Sequence, residues 1–141
     1  MDARLTGLRI HIGDREFTAC WQADAPQTVA SLKRLLPFRT RVIHVRWSGE
    51  AIWAPLGDLD LGVGYENQTS HPAPGQMLVY TGPLSECEIL IPYGACLFSS
   101  RAGQLAGNHF ATILDGGERL GQVGEHVLWH GAQELVIEEG D

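Results

Sequence analysis

Apolar and polar residues alternate in several short stretches of the chain, and turn residues separate these stretches. Near the start, Leu8, Ile10 and Ile12 occupy every second position, which is the period of a half-buried β-strand. The dipeptide "GD" predicts a tight turn, and "REFTACW" continues as the hairpin partner. The same analysis predicts further strands at "TRVIHVRW", "AIWAPL", "MLVY", "ECEILIPY", "ACLFSS", "HFATIL" and "QELVIEE".

Two segments depart from this alternation and predict helices. In "DAPQTVASLKRLLPF" the apolar residues recur at helical spacing, Asp24 is placed to cap the helix, and Pro37 ends it. A second, short helix is predicted around Glu125–Trp129. Many short strands with one early and one late helix predict a mainly β fold, a closed or nearly closed β-barrel whose ends carry two short capping helices. The apolar stripe of the first helix consists of Val29, Leu32, Leu35 and Leu36.

Composition narrows the class of protein. A chain of 141 residues, 44% of them hydrophobic, predicts a single domain over residues 1–141. The net charge of −7, with Lys33 as the one lysine, argues against a nucleic-acid partner. No apolar run reaches the length of a membrane span, and the N-terminus lacks a signal pattern. Three cysteines without a CxxC pair argue against a disulfide framework, so we expect a cytoplasmic protein without a membrane partner.

The segment Tyr65–Tyr80, "YENQTSHPAPGQMLVY", predicts a stiff polar loop. Pro72 and Pro74 restrict their own backbone and that of the residues before them, and Gly75 permits a turn into the next strand. One interpretation is that the polar side chains hydrogen-bond their own backbone. The other is that they border a ligand groove at the barrel mouth. The candidates are Glu66, Asn67, Thr69 and Ser70.

A second segment, "AGQLAGNHF", is predicted to form the opposite wall of that groove. Gly103 and Gly107 permit close backbone approach, which leaves Gln104, Asn108 and His109 at a strand entrance. His109 is either a hydrogen-bonded structural residue or a general base or donor toward a carboxylate. We expect this segment and the proline-stiffened loop to converge on one cavity.

Other chemistry finds little support in the sequence. His126 and His130 share a helix face but lack a third ligand, so no metal site and no cofactor is predicted. Glu86 and Glu88 on one strand face permit an acid/base pair, but a charged solvent-facing surface is the favoured interpretation. Cys87 is expected to be a small core residue.

Several short motifs resemble those of cyclophilins, in the same order along the chain. The entry "DAPQTV" resembles the cyclophilin Ala-Pro-x-Thr-Val run, and "GNHF", "ILDG" and "LGQV" resemble later cyclophilin segments. A family of small bacterial cyclophilin-like proteins of unknown function has segments similar to four segments of this chain: "ENQTSHPAPG", "SECEIL", "YG" and "AGQLAGNHF". This resemblance implies a cyclophilin-like barrel and no known activity.

The cyclophilin resemblance also carries expectations about the site. Arg46 lies where a cyclophilin has its catalytic arginine, with Trp53 nearby, but the aromatic proline pocket is replaced by Ala111 and Ile113. We therefore expect a protein that binds a small polar or anionic ligand, with Arg46 meeting a carboxylate, and that is not an active prolyl isomerase. Alternatives are an amidase-like enzyme, a peptidyl-prolyl isomerase, and a homodimeric interaction module that uses an exposed tryptophan. The tryptophans considered for that interface are Trp21, Trp47 and Trp129.

Overall fold

Eight antiparallel strands close into a barrel in the computed structural model, which describes residues 3–140. The barrel strands are β1 (Ala3–Ile12), β2 (Arg15–Trp21), β3 (Phe38–His44), β4 (Gly49–Pro55), β6 (Gln76–Tyr80), β7 (Glu88–Cys96), β10 (Gly107–Ile113) and β11 (Gln133–Glu139). Around the barrel the order is β2-β1-β11-β3-β4-β7-β6-β10, and β10 pairs with β2 to close the ring. The predicted mainly β, cyclophilin-like barrel with two helices is confirmed. Short strands are β5 (Gln68–Thr69), β8 (Ser99–Ser100) and β9 (Gly103–Gln104).

Alternation along the strands fills the barrel interior. On β4, Ile52 and Ala54 are buried in the main core, and so are Ile89 and Ile91 on the neighbouring strand β7. Their sequence neighbours therefore point to the outside of the barrel wall. The sequence predicted two strands over "ECEILIPY" and "ACLFSS", whereas the structure has one long strand, β7, followed by the two-residue strand β8.

The first helix, α1 (Pro26–Lys33), lies where the apolar stripe predicts it, but its N-terminus is held differently. Ala25, not Asp24, is the N-cap residue, and no side chain at that position accepts a capping hydrogen bond. Instead the carboxylate of Glu66 accepts a hydrogen bond from the backbone N–H of Thr28 at 2.5 Å. A residue distant in the chain therefore satisfies one of the free N–H groups at the helix start.

The second helix, α2 (Gly117–His130), is longer than the predicted Glu125–Trp129 segment. It buries Leu120, Val123 and Val127. Gly124 lies against the ring of Tyr93 on β7, so closely that an added Cβ would fall 2.2 Å from the ring. This contact lets the helix pack tightly on the barrel.

A second apolar cluster lies on the outside of the wall formed by β4, β7 and β6. We call it the outer cluster, and it consists of Ala51, Leu78, Tyr80, Leu90, Phe98 and Leu105. Phe98 is fully buried and its ring meets that of Tyr80 edge-on, with centroids 6.0 Å apart. The backbone N–H of Phe98 donates to the carbonyl of Ser70 at 2.8 Å. The segment after β7 therefore folds back over the wall and covers its outer face.

Candidate functional site

A cleft of about 240 Å³ opens beside the outer cluster, and we call it the outer cleft. It lies on the outside of the barrel wall, whereas the sequence predicted a groove at the barrel mouth. Its lining comes from three parts of the chain: the bend after β3, the wall strands β4 and β7, and the β8–β9 hairpin. The lining residues are 45–48, Trp53, Leu84, Ser85, Glu88 and 99–102.

Ser48 joins the bend after β3 to the β8–β9 hairpin. It is only 4% exposed, and its hydroxyl donates to the carbonyl of Ser99 at 3.0 Å and accepts from the Ser99 N–H at 2.9 Å. Its own carbonyl accepts from the Leu97 N–H at 3.0 Å. The Ser48 hydroxyl and one backbone hydrogen bond thus join the bend to the hairpin, which gives the cleft a fixed wall.

Two arginines and a tryptophan give the outer cleft its chemical character. Arg46 lies in the bend beyond the end of β3, not on the strand where the sequence placed it, and its side chain is exposed. Arg101 lies at the turn of the β8–β9 hairpin and is also exposed. Trp53 on β4 is half-buried and provides aromatic surface beside them. Such a lining suits a small ligand with one anionic group and one apolar part.

Glu88 is the unexpected residue of the outer cleft. The sequence favoured a charged, solvent-facing surface for Glu86 and Glu88. For Glu88 this interpretation is wrong, because the residue is only 6% exposed. Burial, and secondarily the charge of Glu86, raises the pKa of its carboxyl to about 7, and a hydrogen bond from Ser85 offsets part of this effect. Glu88 is therefore able to change its protonation state near neutral pH.

Four other candidate residues meet in a different place, which we call the polar seam: Glu66, Asn67, Asn108 and His109, with Thr28 as a further partner. Asn108 is fully buried. Its Oδ1 accepts from the Glu66 N–H at 3.1 Å, and its Nδ2 donates to the Thr28 hydroxyl at 3.1 Å and to a backbone carbonyl at 2.9 Å. The side-chain amide thus joins the proline-stiffened loop to α1 and β10.

Asn67 and His109 complete the polar seam. Asn67 has a φ of 51°, a left-handed conformation that asparagine tolerates, and its Nδ2 donates to the His109 carbonyl at 2.8 Å. The His109 Nε2 lies 2.8 Å from the Thr112 hydroxyl, which itself donates to Gln22 at 2.8 Å. Nε2 is therefore the donor, and burial lowers the pKa of this imidazole. His109 is therefore a hydrogen-bonded residue whose charged form is disfavoured by burial.

The remaining candidates have local roles. The Thr69 hydroxyl accepts from the His71 N–H at 3.0 Å, which is the turn interaction considered from the sequence. The backbone carbonyl of Ser70 accepts a hydrogen bond from the N–H of Phe98. Gln104 is exposed on β9, where it pairs with Ser99.

The two predicted segments do converge, but they bind each other rather than enclosing the outer cleft. Of the nine candidate residues, Arg46 and Trp53 line the cleft and the other seven do not. Sequence reasoning missed Leu84, Ser85 and Arg101 and undervalued Glu88. One signal was available: Glu88 shares its strand face with the apolar Leu90, which indicates a covered face rather than a wet one.

Metal and thiol chemistry have little basis in the structure. Among residues 3–140, no three metal-binding side chains lie close enough together to hold an ion. Burial raises the pKa values of Cys87 and Cys96 to about 11, so both thiols stay protonated at neutral pH. Within the same residues, neither helix has the length and hydropathy needed to cross a bilayer.

Solved structures of similar fold come from proteins with low sequence identity. A hypothetical protein from Archaeoglobus fulgidus, AF2241, has a TM-score of 0.63 at 20% identity, over 96% of this chain and 95% of that one. McbB, solved in complex with tryptophan, has a TM-score of 0.66 at 15% identity, over 94% of this chain and 44% of that one. A cyclophilin-type peptidyl-prolyl isomerase from Cryptosporidium parvum, in the presence of the dipeptide Ala-Pro, has a TM-score of 0.59 at 12% identity, over 96% and 99%. These similarities establish the fold.

Sequence comparison identifies a family without assigned activity. No curated protein has a significantly similar sequence. The family described as "Protein of unknown function (DUF3830)" matches residues 10–138. The chain belongs to this family.

Proposed function

We propose that this member of the DUF3830 family binds a small carboxylate ligand with an apolar body in the outer cleft. The observation that carries this proposal is the combination of two exposed guanidinium groups, Arg46 and Arg101, with the half-buried ring of Trp53 around one cavity. Guanidinium groups favour carboxylates because they donate two parallel hydrogen bonds. Apolar area from Trp53 and Leu84 would hold the rest of the ligand.

Charge and size both support a small anion. The chain as a whole carries a net charge of −7, so a cleft with two arginines is a local exception on an acidic protein. Neither Arg46 nor Arg101 takes part in an ion pair among residues 3–140, which leaves both guanidinium groups able to bind an anion. A volume of about 240 Å³ admits a metabolite-sized molecule and excludes a folded polymer.

The neighbours in fold add limited support. McbB is described with bound tryptophan, and the Cryptosporidium parvum isomerase was solved in the presence of Ala-Pro. Both molecules are small carboxylates with an apolar part. Proteins that contain this fold have therefore been solved together with small carboxylates of the proposed kind. The three free cysteines are compatible with a reducing cytoplasm, which we propose as the compartment.

We do not expect prolyl isomerisation in the outer cleft. Ala111 and Ile113, which stand where the cyclophilin resemblance requires aromatic pocket residues, are buried in the main core. A refolding assay with a proline-limited substrate protein tests this expectation. We expect no acceleration over the uncatalysed rate, and acceleration that depends on Arg46 would contradict it.

The main experiment is a thermal-shift screen of small carboxylic acids, each paired with its neutral primary amide. We expect some acids, and none of the matched amides, to raise the melting temperature. A ligand at 100 times its Kd stabilises by about 2.7 kcal/mol. Arg46→Gln should remove the shift, while Arg41→Gln, which changes an exposed arginine of β3 outside the cleft, should retain it. Equal shifts from acids and amides would refute the proposal.

A further inference from the structure

We infer that the ligand of the outer cleft carries an ammonium group as well as a carboxylate, and that Glu88 binds the ammonium. The ligand class is therefore that of amino acids whose ammonium and carboxylate lie at the two ends of an apolar segment. This inference rests on the proposed function and makes it more specific. The observation behind it is the carboxyl group of Glu88, which is buried in the lining of the cleft without a cationic partner.

Glu88 has a hydrogen-bonding capacity that the protein leaves mostly unused. It is 6% exposed and lines the cleft. It takes part in no ion pair among the residues whose side chains the structure describes, 7–140, and its side-chain hydrogen bond comes from Ser85. A buried carboxyl in such surroundings either holds a proton or needs a cation, because an unpaired buried charge is unfavourable. A ligand ammonium provides that cation and three N–H donors.

The charged groups around Glu88 favour a cation at this position. Glu86 on the same segment adds negative charge, and Cys87 between them is a protonated thiol. Across the sheet, β4 presents Pro55 and β6 presents Tyr80, whose hydroxyl accepts from the Leu84 N–H at 3.0 Å. The positive charges of the cleft, Arg46 and Arg101, come from the bend and the hairpin instead.

The strand register separates the positive from the negative part of the cleft. The Val45 N–H donates to the Ala51 carbonyl at 3.2 Å, so the bend lies level with Ala51, whereas Glu88 pairs with Pro55. These levels are four residues, or about 13 Å, apart along β4. Trp53 lies between them on the same outward face. A ligand whose carboxylate contacts Arg46, whose ammonium contacts Glu88 and whose apolar segment between the two lies on Trp53 matches this order.

Binding of an ammonium group should release the proton of Glu88 to the solvent. With its pKa at about 7, Glu88 holds its proton in most molecules at pH 6. The bound ammonium stabilises the carboxylate form, so the bound complex carries one proton fewer at this position. We expect close to one proton released per ligand at pH 6 and almost none at pH 8. The affinity should rise as much as about tenfold over this interval.

Isothermal titration calorimetry tests the inference with pairs of ligands: an amino acid that binds, and the same acid without its amino group. Measurements at pH 6 in two buffers with different ionisation enthalpies give the number of protons released. We expect the amino acid to bind at least tenfold more tightly, with proton release. Glu88→Gln should abolish both the preference and the release while it retains binding of the des-amino acid. Glu86→Gln, a change at an exposed neighbour whose charge is a secondary cause of the raised pKa of Glu88, should retain the preference and most of the proton release.

The outcomes separate this inference from the proposed function. Equal affinity for both members of a pair, or a preference that survives Glu88→Gln, would overturn the role of Glu88 and leave carboxylate binding intact. Binding of the amino acid without proton release at pH 6 would overturn it as well. Failure of every carboxylate to bind would instead remove the proposed function, and with it the inference.

Discussion

The outer cleft and the polar seam both contain a buried polar side chain, but they differ in how that side chain is satisfied. Asn108 in the polar seam is fully buried, and its amide makes three hydrogen bonds to the protein. Glu88 in the outer cleft is almost as buried and has no cationic partner among residues 3–140. The polar seam is therefore complete without a ligand, whereas the outer cleft leaves a charge to be balanced.

This difference separates structural polar residues from candidate binding residues better than residue type does. Asparagine, histidine and glutamate are frequent in binding sites, so residue type alone does not distinguish Glu66 or His109 from Glu88. In the structure, Glu66 binds the start of α1, and His109 binds Thr112. A polar group whose bonds are already made within the protein has little capacity left for a ligand.

The largest effect is expected at Asn108. Replacement by Ala removes three hydrogen bonds and leaves buried donors and acceptors unpaired, which should lower the free energy of unfolding by about 3–5 kcal/mol. Urea denaturation followed by circular dichroism measures this loss. Gln104→Ala, a change at an exposed polar residue of the other predicted wall segment, should stay within about 0.5 kcal/mol. A loss below about 1 kcal/mol for Asn108→Ala would show that the polar seam is not a structural unit.

The second-largest effect is expected in the pH dependence of the free energy of unfolding, which Glu88 should confer. Because the folded-state pKa of about 7 lies above the ordinary glutamate pKa of 4.5, the folded state keeps a proton that the unfolded state loses. The free energy of unfolding should therefore fall as the pH rises from about 4.5 to 7, and then level off. Relative to Glu88→Gln, which has no carboxyl at this position, the fall should be on the order of 2–3 kcal/mol. Urea denaturation of both proteins from pH 4 to 8 tests this sign. Parallel curves for the two proteins would contradict it, and Glu86→Gln should keep most of the dependence.

Glu66 offers a smaller test on the side of the polar seam. Glu66→Ala removes the acceptor of the Thr28 N–H and the negative charge at the start of α1, for an expected loss of about 1–2 kcal/mol in the free energy of unfolding. Asp24→Ala is the matched control, because the sequence identifies Asp24 as the cap and the structure does not. We expect this control to change stability by less than about 0.5 kcal/mol. Equal losses in the two variants would restore Asp24 as the cap.

The sequence predicted those features that depend on local periodicity. Alternating apolar residues located the barrel strands, and the stripe around Leu32 located α1. The length of α2 was underestimated because Gly117, Gly121 and Gly124 lower helix propensity, while packing on Tyr93 favours the helix there.

The features that depend on distant contacts could not be predicted in this way. The carboxylate that caps α1 comes from a residue 38 positions later in the chain. Phe98 and the segment after β7 fold back over the outer face of the wall, and the alternation pattern does not show that this face is covered. Arg46 lines the outer cleft, whereas the sequence analysis placed it in a groove at the barrel mouth, from family resemblance and not from the pattern of residues around it.

The smallest effect on stability, and the sharpest contrast with the polar seam, is expected at Arg101. Its side chain is exposed at the turn of the β8–β9 hairpin and makes no ion pair among residues 3–140, so Arg101→Gln should change the free energy of unfolding by less than about 0.5 kcal/mol. Loss of a charge-assisted hydrogen bond should nevertheless weaken carboxylate binding by about 1.5 kcal/mol, or roughly tenfold. Titration calorimetry with a carboxylate from the thermal-shift screen measures this change, and Arg34→Gln at the end of α1 serves as the control. If Arg101→Gln binds the acid as tightly as the control does, the anionic group of the ligand contacts Arg46 alone.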